Sequence, residues 1–135
     1  MVKDKKTEEK IETILSGMTL EEKIGQMQQI SKNAVPTEIF EEIKKTGILG
    51  SYLHVLGTET GEFDESVQNS RLQIPPIFGI DAIHGHALLK GATVFPSQLA
   101  LACSFDDELV EEVGRVTACE VAADGLDWVF SNVIG

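Results

Sequence analysis

The sequence predicts an α/β fold built on a parallel sheet, and three observations carry that expectation. Short apolar runs bounded by turn residues stand at 48–53, 75–80 and 126–130, each the length of a buried strand. Segments with apolar residues at helical spacing separate them, and the order strand, helix, strand, helix, strand favours parallel pairing through right-handed crossovers. The 135 residues suffice for one apolar core and are too few for two.

The lead-in over 1–46 reads as helical. Ile11, Ile14, Leu15 and Met18 recur at helical spacing, which predicts an amphipathic helix from Thr7 to Gly17. Thr19-Leu20-Glu21-Glu22 matches a capping box, with Thr19 as N-cap and Glu22 reaching back to it. Leu20, Ile24, Met27 and Ile30 would give this second helix one buried face. Pro36 and Thr37 open a third helix, with Ile39, Phe40 and Ile43 as its apolar positions and Gly47 at its end.

The β/α units occupy 47–135 in this reading. Ile48–Leu53 is the first strand, a helix follows over Phe63–Arg71, and Pro75–Ile80 is the second strand. Its prolines sit at the start, where a missing N–H is tolerable. A glycine-rich loop from His84 to Gly91 precedes the longest helix, Phe105–Ala123, whose apolar side is Leu109, Val110, Val113, Val116 and Val121. Leu126–Phe130 is the third strand. A (β/α)₈ barrel takes about 250 residues. A barrel begun this way is expected to stop before closure, leaving a strand edge and an apolar face through which copies could self-associate.

Composition narrows the partners. Eleven basic against twenty-two acidic residues give a net charge of -11, which argues against nucleic acid or an anionic membrane surface and suits a neutral ligand. No apolar run approaches the roughly 18 residues of a membrane span. The start, Met1–Lys6, is charged and has no apolar signal-peptide region, so the expected location is cytoplasmic. Cys103 and Cys119 form no Cys-x-x-Cys pattern and are expected to be reduced, buried thiols.

The densest polar cluster is Asp81-Ala82-Ile83-His84-Gly85-His86, directly after the strand ending at Ile80. Side chains at the carboxyl end of a parallel strand face the site in open sheets and barrels alike. Asp81 is therefore where a substrate-contacting carboxylate is expected, and a short carboxylate accepts two hydroxyls, of a sugar for instance, in hydrogen bonds that its charge strengthens; equally, it could cap the strand and satisfy loop amides. Asp81, His84 and His86 together offer three metal-ligand types within six residues. The plainer reading packs one histidine against the loop and leaves the other solvated or bonded to backbone, since a catalytic metal draws further ligands from other strands. His54, just after the first strand, reads as an ordinary loop histidine that could face the same mouth. Asp127 reads as structural, and Trp128 as core in preference to a sugar-stacking platform. Gly85 and Gly91 fit no nucleotide fingerprint, and no cofactor is expected.

At this point the chain resembles the family 3 glycoside hydrolases. The resemblance rests on Met18–Met27 (MTLEEKIGQM), Gly50-Ser51, Ser70–Pro75 (SRLQIP), Phe78–His86 (FGIDAIHGH), Gly91–Pro96 (GATVFP) and Gly125–Phe130 (GLDWVF), all in the family's order. It implies an incomplete (β/α)₈ TIM-type barrel, holding about the first three strands of the catalytic domain of a β-glucosidase. Such enzymes hydrolyse β-linked glucosides with retention, which takes a nucleophile and an acid/base carboxyl about 5–5.5 Å apart. In the family both lie in segments downstream of those seen here, so no catalytic residue is assigned to this chain and it is expected to be inactive alone. Of the residues that hold the sugar, only the aspartate after Phe-Gly-Ile has a counterpart, Asp81; His84 and His86 match positions near the site and could line it. Two departures stand out. Phe130-Ser131-Asn132 replaces the family's Phe-Ala-Pro, and the segment from Thr60 to Asn69 is shortened. Other readings are a metal-dependent hydrolase using Asp81, His84 and His86, and a non-catalytic fragment that binds a sugar or a partner.

Overall fold

The computed structural model describes residues 4–133. Part of the charged start (Met1 to Lys3) and the last two positions, Ile134 and Gly135, lie outside the described residues.

Local sequence fixes the first helices. Asp4 caps α1 (Lys5–Ser16), its carboxylate accepting the backbone N–H groups of Lys6 and Thr7. Thr19 caps α2 (Leu20–Gln26), its hydroxyl accepting the Glu22 N–H while the Glu22 carboxylate accepts the Thr19 N–H at 2.8 Å. Arg71 reinforces this turn: its Nε donates to Glu22 at 2.8 Å and an Nη donates to the Gly17 carbonyl at 2.9 Å.

The chain then departs from the expected lead-in. The second helix closes at Gln26, and Gln29–Ser31 forms a strand, β1. Ile30 packs against the core from that strand, while Leu20, Ile24 and Met27 are exposed, so the four do not share a buried helix face. The helical lead-in thus contains a strand, and the sheet starts ahead of residue 47.

Helix α3 (Thr37–Thr46) follows Pro36 as expected and ends at Gly47 with φ 59°, the left-handed cap that glycine adopts without a Cβ penalty. Strand β2 (Ser51–Leu53) leads to a short helix α4 (Gly57–Thr60), a 3₁₀ turn (Gly61–Phe63) and α5 (Asp64–Asn69). Strand β3 (Ile77–Ile80) precedes a long irregular loop, a short helix α6 (Gln98–Ala102), α7 (Asp107–Ala123) and β4 (Trp128–Val129). Phe105, expected on the long helix, instead stands between α6 and α7 with φ 52°. Asp106 caps α7 by accepting the Leu109 N–H at 2.9 Å.

The four strands lie side by side in sequence order, β1-β2-β3-β4, and every pair is parallel. Each crossover carries helix, as parallel pairing requires. Register puts Ile30, Tyr52 and Phe78 on one face, and alternation adds Ile80 and Val129. Helices cover that face: Phe40 of α3, Phe63 and Val121 of α7 join Tyr52, Phe78 and Ile80 in the buried core. Phe40, Tyr52, Phe63 and Phe78 form an aromatic cluster with centroids 4.6–6.4 Å apart, mostly edge-on.

The opposite face carries Gln29, Ser51, Ile77, Gly79 and Trp128 and has no helix layer among the described residues. Trp128 is 48% exposed and meets Phe130 edge-on at 4.6 Å, so it does not belong to the core. Cys103 and Cys119 are exposed free thiols, against the expectation of burial: Cys119 lies on the outward side of α7, beside Arg115. No helix among the described residues is long and apolar enough to cross a membrane.

Candidate functional site

The carboxyl ends of β1, β2 and β3 each deliver one polar side chain to the same edge of the sheet. Ser31 is the last residue of β1, His54 follows β2, and Asp81 follows β3. The backbone holds them in line, since the His54 N–H extends the ladder by donating to the Gly79 carbonyl at 3.1 Å. Asp81 projects furthest, with its side chain 47% exposed, and its Oδ2 lies 3.1 Å from His54 Nε2. On the other side of the ring, His54 Nδ1 lies 3.4 Å from the Ser31 hydroxyl. His54 adopts φ 62°, a left-handed conformation that disfavours a residue with a Cβ and gathers at functional sites.

Beyond Asp81 the loop folds back on itself. Gly85 bridges to Ile83 and Val94, and Phe95 N–H donates to the His84 carbonyl at 2.9 Å. Helix α7 holds this loop with two carboxylates. Glu120 accepts the Thr93 N–H at 2.9 Å and its hydroxyl at 2.7 Å. Asp124 lies 2.9 Å from His86 Nε2 and also accepts the Gly57 N–H at 3.1 Å, joining the loops after β2 and β3 to the end of α7. Approach there is so close that a Cβ on Gly57 would stand 1.2 Å from the Asp124 carbonyl oxygen.

These contacts sort the residues read from sequence. Asp81 stands where expected, at the carboxyl end of β3. His84 lines a cleft of about 970 Å³ with Ile83, Gln98, Leu101, Val110 and Val133, whereas Asp81 stands outside that lining. His86 is fully buried against Asp124 and, like Asp81, stands outside the lining of that cleft. Asp81, His84 and His86 do not converge, and among the described residues no three His, Cys, Asp or Glu side chains form a group that could hold a metal. The metal-hydrolase reading loses its constellation for that reason. The Nδ1 atoms of His84 and His86 are buried and meet no hydrogen-bond partner among the described residues. Asp127 has a structural role, its carboxylate accepting the Phe78 N–H at 3.0 Å.

Three contacts around the carboxyl edge escaped the sequence reading. His54 is no ordinary loop histidine but the neighbour of Asp81; each follows a buried run, and adjacency of those runs was the available signal. Glu120 and Asp124 stand four apart and so share one helix face, the signal that both could meet the loop packed on that face, Glu120 at Thr93 and Asp124 at His86.

A parallel sheet wrapped by helices on one face, with polar side chains gathered at its carboxyl edge, is the working end of an α/β-barrel protein. Comparison with known proteins identifies the barrel. The family model described as "Glycosyl hydrolase family 3 N terminal domain" matches residues 19–135, and the chain belongs to this family. It is 38% identical over 127 residues to a periplasmic beta-glucosidase of Salmonella typhimurium, covering 90% of this chain and 16% of that protein. Among solved structures, an exo-1,3/1,4-beta-glucanase from a Pseudoalteromonas species superposes with a TM-score of 0.82 at 32% identity, covering 99% of this chain and 18% of that one. The beta-glucosidase from Listeria innocua in complex with gluconolactone gives 0.79 at 34% identity, covering 94% and 19%; structures of that enzyme with glucose and of a mutant with laminaribiose are also similar. The chain therefore spans less than a fifth of the length of the relatives named here.

Proposed function

We propose that this chain supplies the opening strands of a β-glucosidase-type barrel that hydrolyses O-glycosyl bonds of β-glucosides with retention, and that Asp81 contributes to the sugar-holding subsite. The observation that carries the reading is the placement of an exposed carboxylate at the carboxyl end of β3, beside the ends of β1 and β2, in a chain of this family. An ionised carboxylate accepts hydroxyl hydrogen bonds more strongly than a neutral group does, and this is the edge where barrels bind ligands. The beta-glucosidase of Listeria innocua, structurally similar over this region, is known in complex with gluconolactone and glucose.

Bond cleavage belongs to carboxyls contributed by other segments of the barrel and its following domain. The 135-residue chain alone is expected to show no turnover of nitrophenyl β-glucoside above background, because a retaining mechanism has no substitute for a missing nucleophile. Titration with gluconolactone tests the subsite: saturable binding lost in Asp81→Ala supports it, and binding unchanged in that variant refutes it.

A further inference from the structure

We propose that His54 is the positioning residue of Asp81: it fixes the carboxylate by bonding one oxygen and leaves the other to receive a sugar hydroxyl. This rests on the sugar-subsite reading given above.

Four observations lead there. His54 takes a left-handed backbone (φ 62°) without being glycine, so the strand end holds its ring in place against an intrinsic preference. Both ring nitrogens have partners, Ser31 Oγ at 3.4 Å and Asp81 Oδ2 at 3.1 Å. The three residues come from the ends of three adjacent strands, so a rigid sheet sets their spacing. Exposure grades outward, with the His54 side chain at 22% and the Asp81 side chain at 47%: the imidazole stands behind and the carboxylate in front.

The chemistry follows from the donors. A hydroxyl at Ser31 donating to Nδ1 keeps the neutral ring in its Nε2–H tautomer, and that N–H then donates to Asp81 Oδ2. Asp81 Oδ1 has no partner among the described residues and is the oxygen left for the ligand. A carboxylate already fixed loses less freedom when a sugar binds than one that rotates, and this raises affinity without a new sugar contact. Ser31 acts only through the ring, and the ring only through Asp81.

Two measurements on the full-length protein test the relay. His54→Asn tolerates the left-handed backbone but is too short to reach Asp81. It should weaken gluconolactone binding about tenfold with an unchanged melting temperature; Ser31→Ala should weaken it about threefold, and the double variant should bind no worse than His54→Asn. Unchanged affinity in His54→Asn, or losses that multiply in the double variant, would overturn the relay. In the sugar-free protein, the ring ¹⁵N signals of His54 should report the Nε2–H tautomer and move in Asp81→Ala. Addition of gluconolactone to the wild type should barely displace them. Signals blind to Asp81→Ala overturn this proposal alone, as does a large displacement by the lactone, which would make His54 a direct sugar contact. Failure of the wild type to bind gluconolactone overturns the subsite reading and this proposal with it.

Discussion

The two faces of one sheet live under opposite conditions. On the face toward the helices, Phe78 is 8% exposed and Ile80 is fully buried. One residue away along β3, Ile77 is 49% exposed on the other face, and Trp128 of β4, opposite Gly79 on that same face, is 48% exposed. Both faces bear large apolar side chains. Only the first has the α3–α5 and α7 layer to remove them from water, so stability comes from that side. The second face matches the interior of a closed barrel, where further strands would cover it. Residues of equal hydrophobicity therefore differ in energetic worth according to what lies opposite them.

The largest expected effect comes from the covered face. Phe78→Ala should destabilise by about 3–5 kcal/mol, through lost burial and the cavity left in the aromatic cluster. Ile77→Ala, its neighbour in sequence, should cost about 0.5 kcal/mol or less. Urea unfolding of the two variants measures the contrast directly, and equal losses would break the distinction between the faces.

Next in size is the junction at the end of α7. Asp124→Ala leaves His86 fully buried without its carboxylate and removes the acceptor of the Gly57 N–H. A loss of about 3 kcal/mol is expected, since a buried polar partner left unsatisfied retains its full desolvation cost. Thermal melting checks it. Trp128→Ala, on the open face, should melt within a few degrees of the wild type.

The open face also predicts association. Edges and apolar surface of this kind pair with other copies, so the 135-residue chain taken alone should show concentration-dependent oligomers in sedimentation, shifted toward monomer by the double change Ile77→Lys and Trp128→Lys. A monomer at all concentrations would remove the open face from consideration as an interface.

The smallest effect is at the periphery. Glu22 is held down to about 2 by the Arg71 guanidinium first and by the Thr19 N–H second. A depressed carboxyl stabilises the folded state above its ordinary value of 4.5, and this contribution fades as pH falls from there toward 2. Melting temperature of the wild type should therefore drop over that window more than that of Glu22→Gln. Parallel pH curves would show that the Arg71 fork adds no stability.

How much of this was legible beforehand varies with the range of the interactions. Capping at Thr19, the Gly47 stop and the strands after 47 follow from side chains within a few residues of one another, and the sequence displays them. Strand β1 was invisible because Gln29-Ile30-Ser31 has no apolar run, and Ile30 falls at helical spacing from Met27. Its ladder partner lies more than twenty residues away, Gln29 facing Ser51.

What the sequence by itself determined is the class of fold, the family, and the position of Asp81 after a buried strand, because strand propensity, turn chemistry and block motifs are local. Tertiary structure alone decided that His54 stands beside Asp81, that His86 is turned away to Asp124, and that Trp128 is exposed. Each of these depends on which strands become neighbours and which face receives a helix layer. Such choices are made by long-range packing, where residues far apart in the chain compete for the same partners.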